Sequence, residues 1–259
     1  MGIIHKFERL VRTIKGDYSM NSLIIHHHAG LGDHFMCNGV VNYIVDSTDF
    51  DYYYVLTKER NYKTVSEMYS YSDKIRTLPF SDEIEGTIQQ RLPVNGRYIQ
   101  IGFGYLENYM RENPDKDFSY AFYDQFDLPS SDKWDRFKIQ RNEIEENKIY
   151  EQLVGDNEEY IFVHDESSVG KYDFNIDNEL KIIKPKPGIT NNITHFLKVI
   201  ENAKEVHCLD SSFISMIDLE LTRENLFAHN VKTIEEGGSG SFPYFKNSWR
   251  VINYEKENA

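Results

Sequence analysis

The sequence predicts an α/β protein built from two successive parallel-sheet domains that face a cleft. Three observations carry this expectation. Short apolar runs, several rich in Val, Ile and Tyr, alternate with stretches of helical spacing, as in strands joined by crossover helices. The alternation gives way to a charged stretch over 134–154 and restarts at Tyr160. Two of the runs end in small or polar residues that open a helical pattern, at Gly30-Leu31-Gly32-Asp33 and at Asp210-Ser211-Ser212-Phe213. Such a step marks the carboxyl edge of a parallel sheet, where open α/β proteins bind ligands.

In chain order, residues 1–19 form a leader. Ile3, Ile4, Phe7, Leu10, Val11 and Ile14 recur at helical spacing with Lys6, Arg9, Arg12 and Lys15 between them. The stripe reads as a helix packed on the domain; the alternative is weak peripheral membrane contact through residues 3–15. The first domain, 20–150, places strands at 23–27, 52–57, 75–79 and 98–103 and helices at 35–45 and 62–71. The aromatic segment 118–126 is ambiguous, and 134–154 reads as a charged helical connector. The second domain, 151–259, places strands at 160–164, 180–183, 205–209, 226–229 and 249–254 and helices at 192–202 and 213–221. The pattern is Rossmann-like in both halves, with the boundary expected within 128–155.

The chain has 259 residues, 40% of them hydrophobic, which suffices for a sizeable core. Its net charge of -13 argues against nucleic acid or an anionic membrane as a partner, since either needs a basic face. No apolar run approaches the roughly 20 residues of a membrane span, and no secretory signal stands at the start. The two cysteines, Cys37 and Cys208, have no metal-like or disulfide-like spacing, so a reducing cytoplasm is expected.

Gly30-Leu31-Gly32-Asp33 lacks the third glycine of a dinucleotide fingerprint and the Gly-Lys-Ser/Thr of a triphosphate loop. Asp33 either caps the helix or takes a proton from an incoming hydroxyl. His28, His34 and Asn38 stand close to it in sequence. His26-His27-His28 alternates across a strand, so the three rings cannot converge on one ion, and no metal is expected. In the second half, Ser211 and Ser212 open a helix and either cap it or bind a phosphate. After the strand at 160–164 come His164, Ser167, Ser168 and Lys171; Lys184 and Lys186 follow the next strand. Lysines there can neutralise a diphosphate, although exposed loop lysines are the commoner case.

With Gly30-Leu31-Gly32-Asp33 after the first strand and Asp210-Ser211-Ser212-Phe213 in the second half, the chain resembles glycosyltransferases of the GT-B fold, most closely the heptosyltransferase-like group. That group has a Gly-x-x-Gly-Asp-like turn at the first position and Asp-x-Gly-x-x-His at the second. The resemblance implies a metal-independent hexosyl- or pentosyltransferase with no cofactor. It would move a sugar from a nucleotide-sugar to a glycan hydroxyl. It implies Asp33 as general base, with His34 or His28 the next candidate. Gly30, Gly32, His164, Lys171, Lys184, Asp210, Ser211 and Ser212 would serve the donor, and His28 and Asn38 the acceptor. The alternative is a nucleotide- or glycan-binding protein without catalysis on the same scaffold. A Rossmann-type hydrolase or methyltransferase is disfavoured, as no Gly-x-Ser-x-Gly elbow is present.

Overall fold

The computed structural model describes residues 21–88, 98–155, 158–167, 170–174, 176, 179–186, 188–231 and 245–254. The leader and Ser168 lie outside the described residues. The chain divides into two compact units, Met1–Gln140 and Arg141–Ala259. Each is a mixed α/β unit around an all-parallel sheet.

In the first unit β1 (Ser22–His27), β2 (Tyr52–Lys58), β3 (Ile75–Phe80) and β4 (Tyr98–Ile101) form a sheet of order β3-β2-β1-β4. Parallel strands need crossover connections, and the intervening helices supply them. Strands β1 and β2 are buried almost end to end; β2 reads as a nearly continuous apolar run, while β1 buries His26 and His27 after its apolar start. Pro79 is tolerated because β3 is an edge strand. One core cluster gathers Ile24, Tyr54, Leu56, Leu78 and Phe80 with Ile84 and Ile88. Fully burying each of these aliphatic side chains contributes roughly 1.5–3 kcal/mol.

The helix expected over 35–45 is two pieces, α1 (Leu31–Met36) and α2 (Asn38–Ser47). The hydrogen bonds Cys37 N to Asp33 O (2.8 Å) and Val41 N to Cys37 O (3.0 Å) carry the ladder across the break. The chain turns at Cys37, whose ψ is -4°. The Tyr53 hydroxyl closes the far end of α2, donating to Thr48 O at 2.7 Å and accepting from Phe50 N at 3.2 Å. Beyond α3 (Tyr62–Met68) the structure adds α4 (Tyr105–Glu112), which the sequence reading lacks, and resolves the aromatic segment as α5 (Tyr120–Asp124). The charged connector is not one helix: α6 (Asp132–Asp135) and α7 (Glu143–Leu153) flank non-helical residues.

In the second unit β5 (Tyr160–His164), β8 (Lys181–Ile183), β9 (Glu205–Leu209), β10 (Leu226–Asn230) and β11 (Trp249–Asn253) form a sheet of order β11-β10-β9-β5-β8. A small antiparallel ribbon, β6 (Glu166–Ser167) with β7 (Gly170–Lys171), follows β5. The helix expected over 192–202 starts as a 3-10 turn, Ile193–Phe196, capped by the Asn192 side chain, and continues as α8 (Leu197–Asn202). Arg223 ties off its end by donating to Ile200 O and Ala203 O. Helix α9 (Ser212–Glu220) is buried along most of its length, and Phe162, Phe196 and Phe213 meet beneath it. Asp218 on α9 accepts hydrogen bonds from Lys246 N, Asn247 N and Trp249 Nε1, which sets the start of β11.

Candidate functional site

Sheet order locates the candidate edges. In the first unit the chain leaves β1 toward β2 and β3 on one side, while β4 pairs on the other. The order therefore reverses between β1 and β4. In the second unit it reverses between β5 and β9, because β8 pairs on one side of β5 and β9 on the other. Crevices outside such reversals, at the carboxyl ends of the strands, are where open α/β sheets hold ligands.

The first edge carries the three histidines. His26 and His28 share Phe103: the His28 ring stacks on it at 4.6 Å and 10°, and His26 lies 4.6 Å from it. The Tyr98 hydroxyl lies 2.6 Å from His26 Nδ1. His27 stands across the sheet, edge-on to His34 at 4.3 Å. Burial pushes the basicity of every one of these rings down, His26 to about 3 and His27 to about 4. They are neutral near pH 7 and bring no positive charge to an anion. Each keeps one buried ring nitrogen without a partner among the described residues.

Asp33 is half-buried in the first turn of α1. Its carboxyl folds back on the helix start and accepts a hydrogen bond from Gly30 N–H, half of a capping box. A Cβ on Gly30 would lie 2.6 Å from Asp33 Oδ2. Gly30 has an ordinary extended backbone (φ -65°), so close approach of the carboxylate, rather than a sharp turn, requires glycine there. Loss of solvation lifts the Asp33 carboxyl to about 7, against the opposing pull of the Gly30 N–H and the Lys58 charge. Gly32 lies within α1, so both glycines belong to the first sheet's edge and not to the second unit's.

Two expected site residues are structural. His34 is fully buried, with Nε2 3.0 Å from Thr57 Oγ1, and its position in the core removes it as a candidate base. Asn38 is fully buried as well. Its amide pins the backbone of Lys138, donating to the carbonyl at 2.9 Å and accepting from the N–H at 2.8 Å, so it is not available to an acceptor.

At the second edge, Ser211 is the N-cap residue of α9, yet its side chain makes no capping hydrogen bond. Its hydroxyl instead reaches across the order reversal to His164 Nδ1 at 3.1 Å, while the His164 ring packs on Phe213 at 4.2 Å. Ser212 and Asp210 are half-buried beside it. The first-turn N–H groups of a helix have no partner within the helix, and its amino end attracts anions. Lys184 is ion-paired with the buried Asp165, so its charge is already opposed. Lys171 on β7 and Lys186 are exposed.

Phe103 and Gln125 escaped the sequence reading. Gln125 accepts from Gly102 N (2.8 Å) and donates to Gln100 O (2.8 Å), fixing the end of β4 beside His28. The Phe122 ring stands 2.7 Å from where a Cβ of Gly102 (φ +86°) would be. The signal for Phe103 was a lone aromatic between two glycines at a strand end. Gln125 left none, because it acts through backbone far away in sequence. Among the described residues no group of three or more His, Cys, Asp or Glu side chains is placed to hold a metal ion. Cys37 and Cys208 are free and buried. Comparison with protein-family models, curated proteins and solved structures finds no match to this chain.

Proposed function

We propose that the chain is a metal-independent glycosyltransferase that moves a sugar from a nucleotide-sugar to an acceptor hydroxyl, such as that of a glycan. The observation that carries the reading is Ser211. It opens a nine-residue helix at the sheet-order reversal but turns its hydroxyl to His164 instead of capping its own helix. That conduct separates it from an ordinary cap serine and favours a bound anion at the α9 amino end. The donor diphosphate would lie there, with the first-turn N–H groups, Ser212 and the exposed Lys171 offsetting the charge that develops as it leaves. Asp33 is the proposed base, since a carboxyl lifted to about 7 is matched to accepting a proton near neutrality. His28, half-exposed on the same edge, is the proposed acceptor contact. A GT-B arrangement, with the two edges presented to one another across a cleft, is part of the same proposal.

A second reading keeps the binding and drops the chemistry: a nucleotide- or glycan-binding protein. The capping bond from Gly30 N–H to Asp33 favours it, because a carboxylate held in a helix cap has a structural reason to be there. One experiment separates the two readings. Nucleoside diphosphates and inorganic pyrophosphate are titrated calorimetrically against the protein, and nucleotide release from a panel of nucleotide-sugars is followed with mixed acceptors. Binding with release supports the transferase. Binding without release supports the second reading. No heat and no rise in melting temperature at millimolar ligand removes the transferase and the nucleotide-binding reading, and leaves glycan binding to be titrated with the acceptor panel, since a ligand of the folded state must stabilise it.

A further inference from the structure

A chain of hydrogen bonds crosses the second sheet and belongs to none of the roles above. It joins Glu205 and His207 on β9, His229 on β10 and Tyr254 just past β11. Parallel register brings them together: Leu209 stands opposite His229, and His229 opposite Ile252. Alternation along each strand then puts Glu205, His207, His229 and Tyr254 on one face. His207 Nε2 lies 3.1 Å from Glu205 Oε2, His207 Nδ1 lies 2.9 Å from His229 Nε2, and His229 Nδ1 lies 2.6 Å from the Tyr254 hydroxyl. Both imidazoles are buried. Phe227 stacks on His207 at 4.5 Å and 4°, and Phe174 on His229 at 3.8 Å and 1°.

The proton positions follow by elimination. A carboxylate only accepts, so His207 Nε2 carries a proton. Burial lowers the basicity of both rings, His229 to about 3 and His207 in the same direction, although Glu205 pulls His207 back up. Each ring is therefore neutral near pH 7 and holds one proton. His207 Nδ1 is bare and accepts from His229 Nε2–H. His229 Nδ1 is bare in turn and accepts from the Tyr254 hydroxyl. The reverse assignment would set a bare His207 nitrogen against the Glu205 carboxylate. One carboxylate thus fixes the direction of three successive hydrogen bonds, and such chains polarise one another.

We propose that Glu205, His207, His229 and Tyr254 form a proton relay, able to pass a proton from an O–H or N–H donor at the carboxyl-terminal end of β11 along the line to Glu205. As the donor's proton passes to the Tyr254 oxygen, the phenol proton moves to His229 Nδ1. The His229 Nε2 proton moves to His207 Nδ1, and the His207 Nε2 proton moves to Glu205. The donor is left as an anion, Tyr254 is again a neutral phenol, both rings are neutral in the other tautomer, and Glu205 is a neutral acid. The reverse shift returns the proton and restores the resting tautomers. His207 and His229 are positioning residues here, acting through Tyr254. The relay stands on its own hydrogen bonds and does not depend on glycosyl transfer.

Imidazole nitrogen NMR on the full chain tests the proposal without a ligand. At pH 7 His207 and His229 are expected to be neutral and both protonated at Nε2, and His229 to stay so down to pH 5. Glu205→Leu removes the fixed acceptor, and both rings, including the remote His229, are then expected to lose their single tautomer together. Tyr254→Phe removes the last donor and is expected to disturb His229 and, through it, His207. A role confined to packing would leave the remote ring unchanged in each variant. The proposal is overturned if either ring of the wild type is doubly protonated or Nδ1-protonated at pH 7. It is equally overturned if His229 keeps a pure Nε2–H form in a folded Glu205→Leu protein. The wild-type measurement decides the matter even if a variant does not fold.

Discussion

Replacing Asp33 by Asn gives a prediction in which stability and activity move in opposite directions. The carboxyl is lifted from its ordinary 3.8 to about 7 by loss of solvation. A carboxyl whose folded value is raised adds stability that is fully present below the unfolded value and is lost as pH rises through the folded value. For Asp33 the window runs from about pH 4 to about pH 7. A shift of about three units corresponds to about 4 kcal/mol at pH 8, falling below about 1 kcal/mol at pH 4. Asparagine resembles the protonated acid, caps a helix about as well, and cannot ionise. Asp33→Asn is therefore expected to unfold later in urea than the wild type at pH 8, by up to about 4 kcal/mol, and to match it at pH 4. If Asp33 is the base, the same variant loses turnover by about a hundredfold or more. Urea unfolding across pH 4–8, paired with a nucleotide-release assay, reads both. Equal stability at pH 8 would mean that burial does not raise the Asp33 carboxyl, and an active, stabilised variant would rule out its role as base.

Three further outcomes are expected. Ser211→Ala removes the contact to His164 but no capping bond, so melting temperature should hardly change. Its nucleoside diphosphate affinity should fall by about 0.5–1.5 kcal/mol by calorimetry, and unchanged affinity would leave the serine without a ligand role. Asn38→Ala strips the paired bonds that hold the Lys138 backbone, leaving buried groups unsatisfied, and should cost about 1–3 kcal/mol in chemical unfolding. Arg141→Ala leaves the buried Glu146 carboxylate without the guanidinium that bridges it to Glu201, and should cost about 3–5 kcal/mol in urea unfolding at pH 7; an unchanged midpoint would refute it.

Strands were legible along the sequence because a parallel strand covered on both faces must be apolar at consecutive positions. The runs at 52–57 and 160–164 have that character; those at 23–27 and 205–209 keep it only in part, being interrupted by His26 and His27 and by Glu205 and His207, and all four are strands. Helix α4 was not legible because it buries no residue, so no core stripe marks it. The split of α1 from α2 at Cys37 left no trace either, since the apolar spacing runs through it. Asp33 was readable as a residue at a strand-to-helix step, with cap and base both open. Its uptake of the Gly30 N–H and its raised basicity emerge only when neighbouring chain displaces water. His34 and Asn38 looked like site residues because they lie close to Asp33 in sequence, but helix geometry turns both into the core.

The alternation of strands and helices and the two small-residue steps are written locally in the chain, because they depend on residues within a turn or two of one another. Tertiary structure decided the rest. Pairing of β4 and of β9 on the far sides of β1 and β5 created the order reversals. It also decided that Ser211 meets His164, far off in sequence, instead of its own helix. Register decided that Glu205, His207, His229 and Tyr254 share a face and a line of protons. A polar side chain at a strand end has several partners it could satisfy locally, and only the strands brought alongside it by the packed sheet select among them.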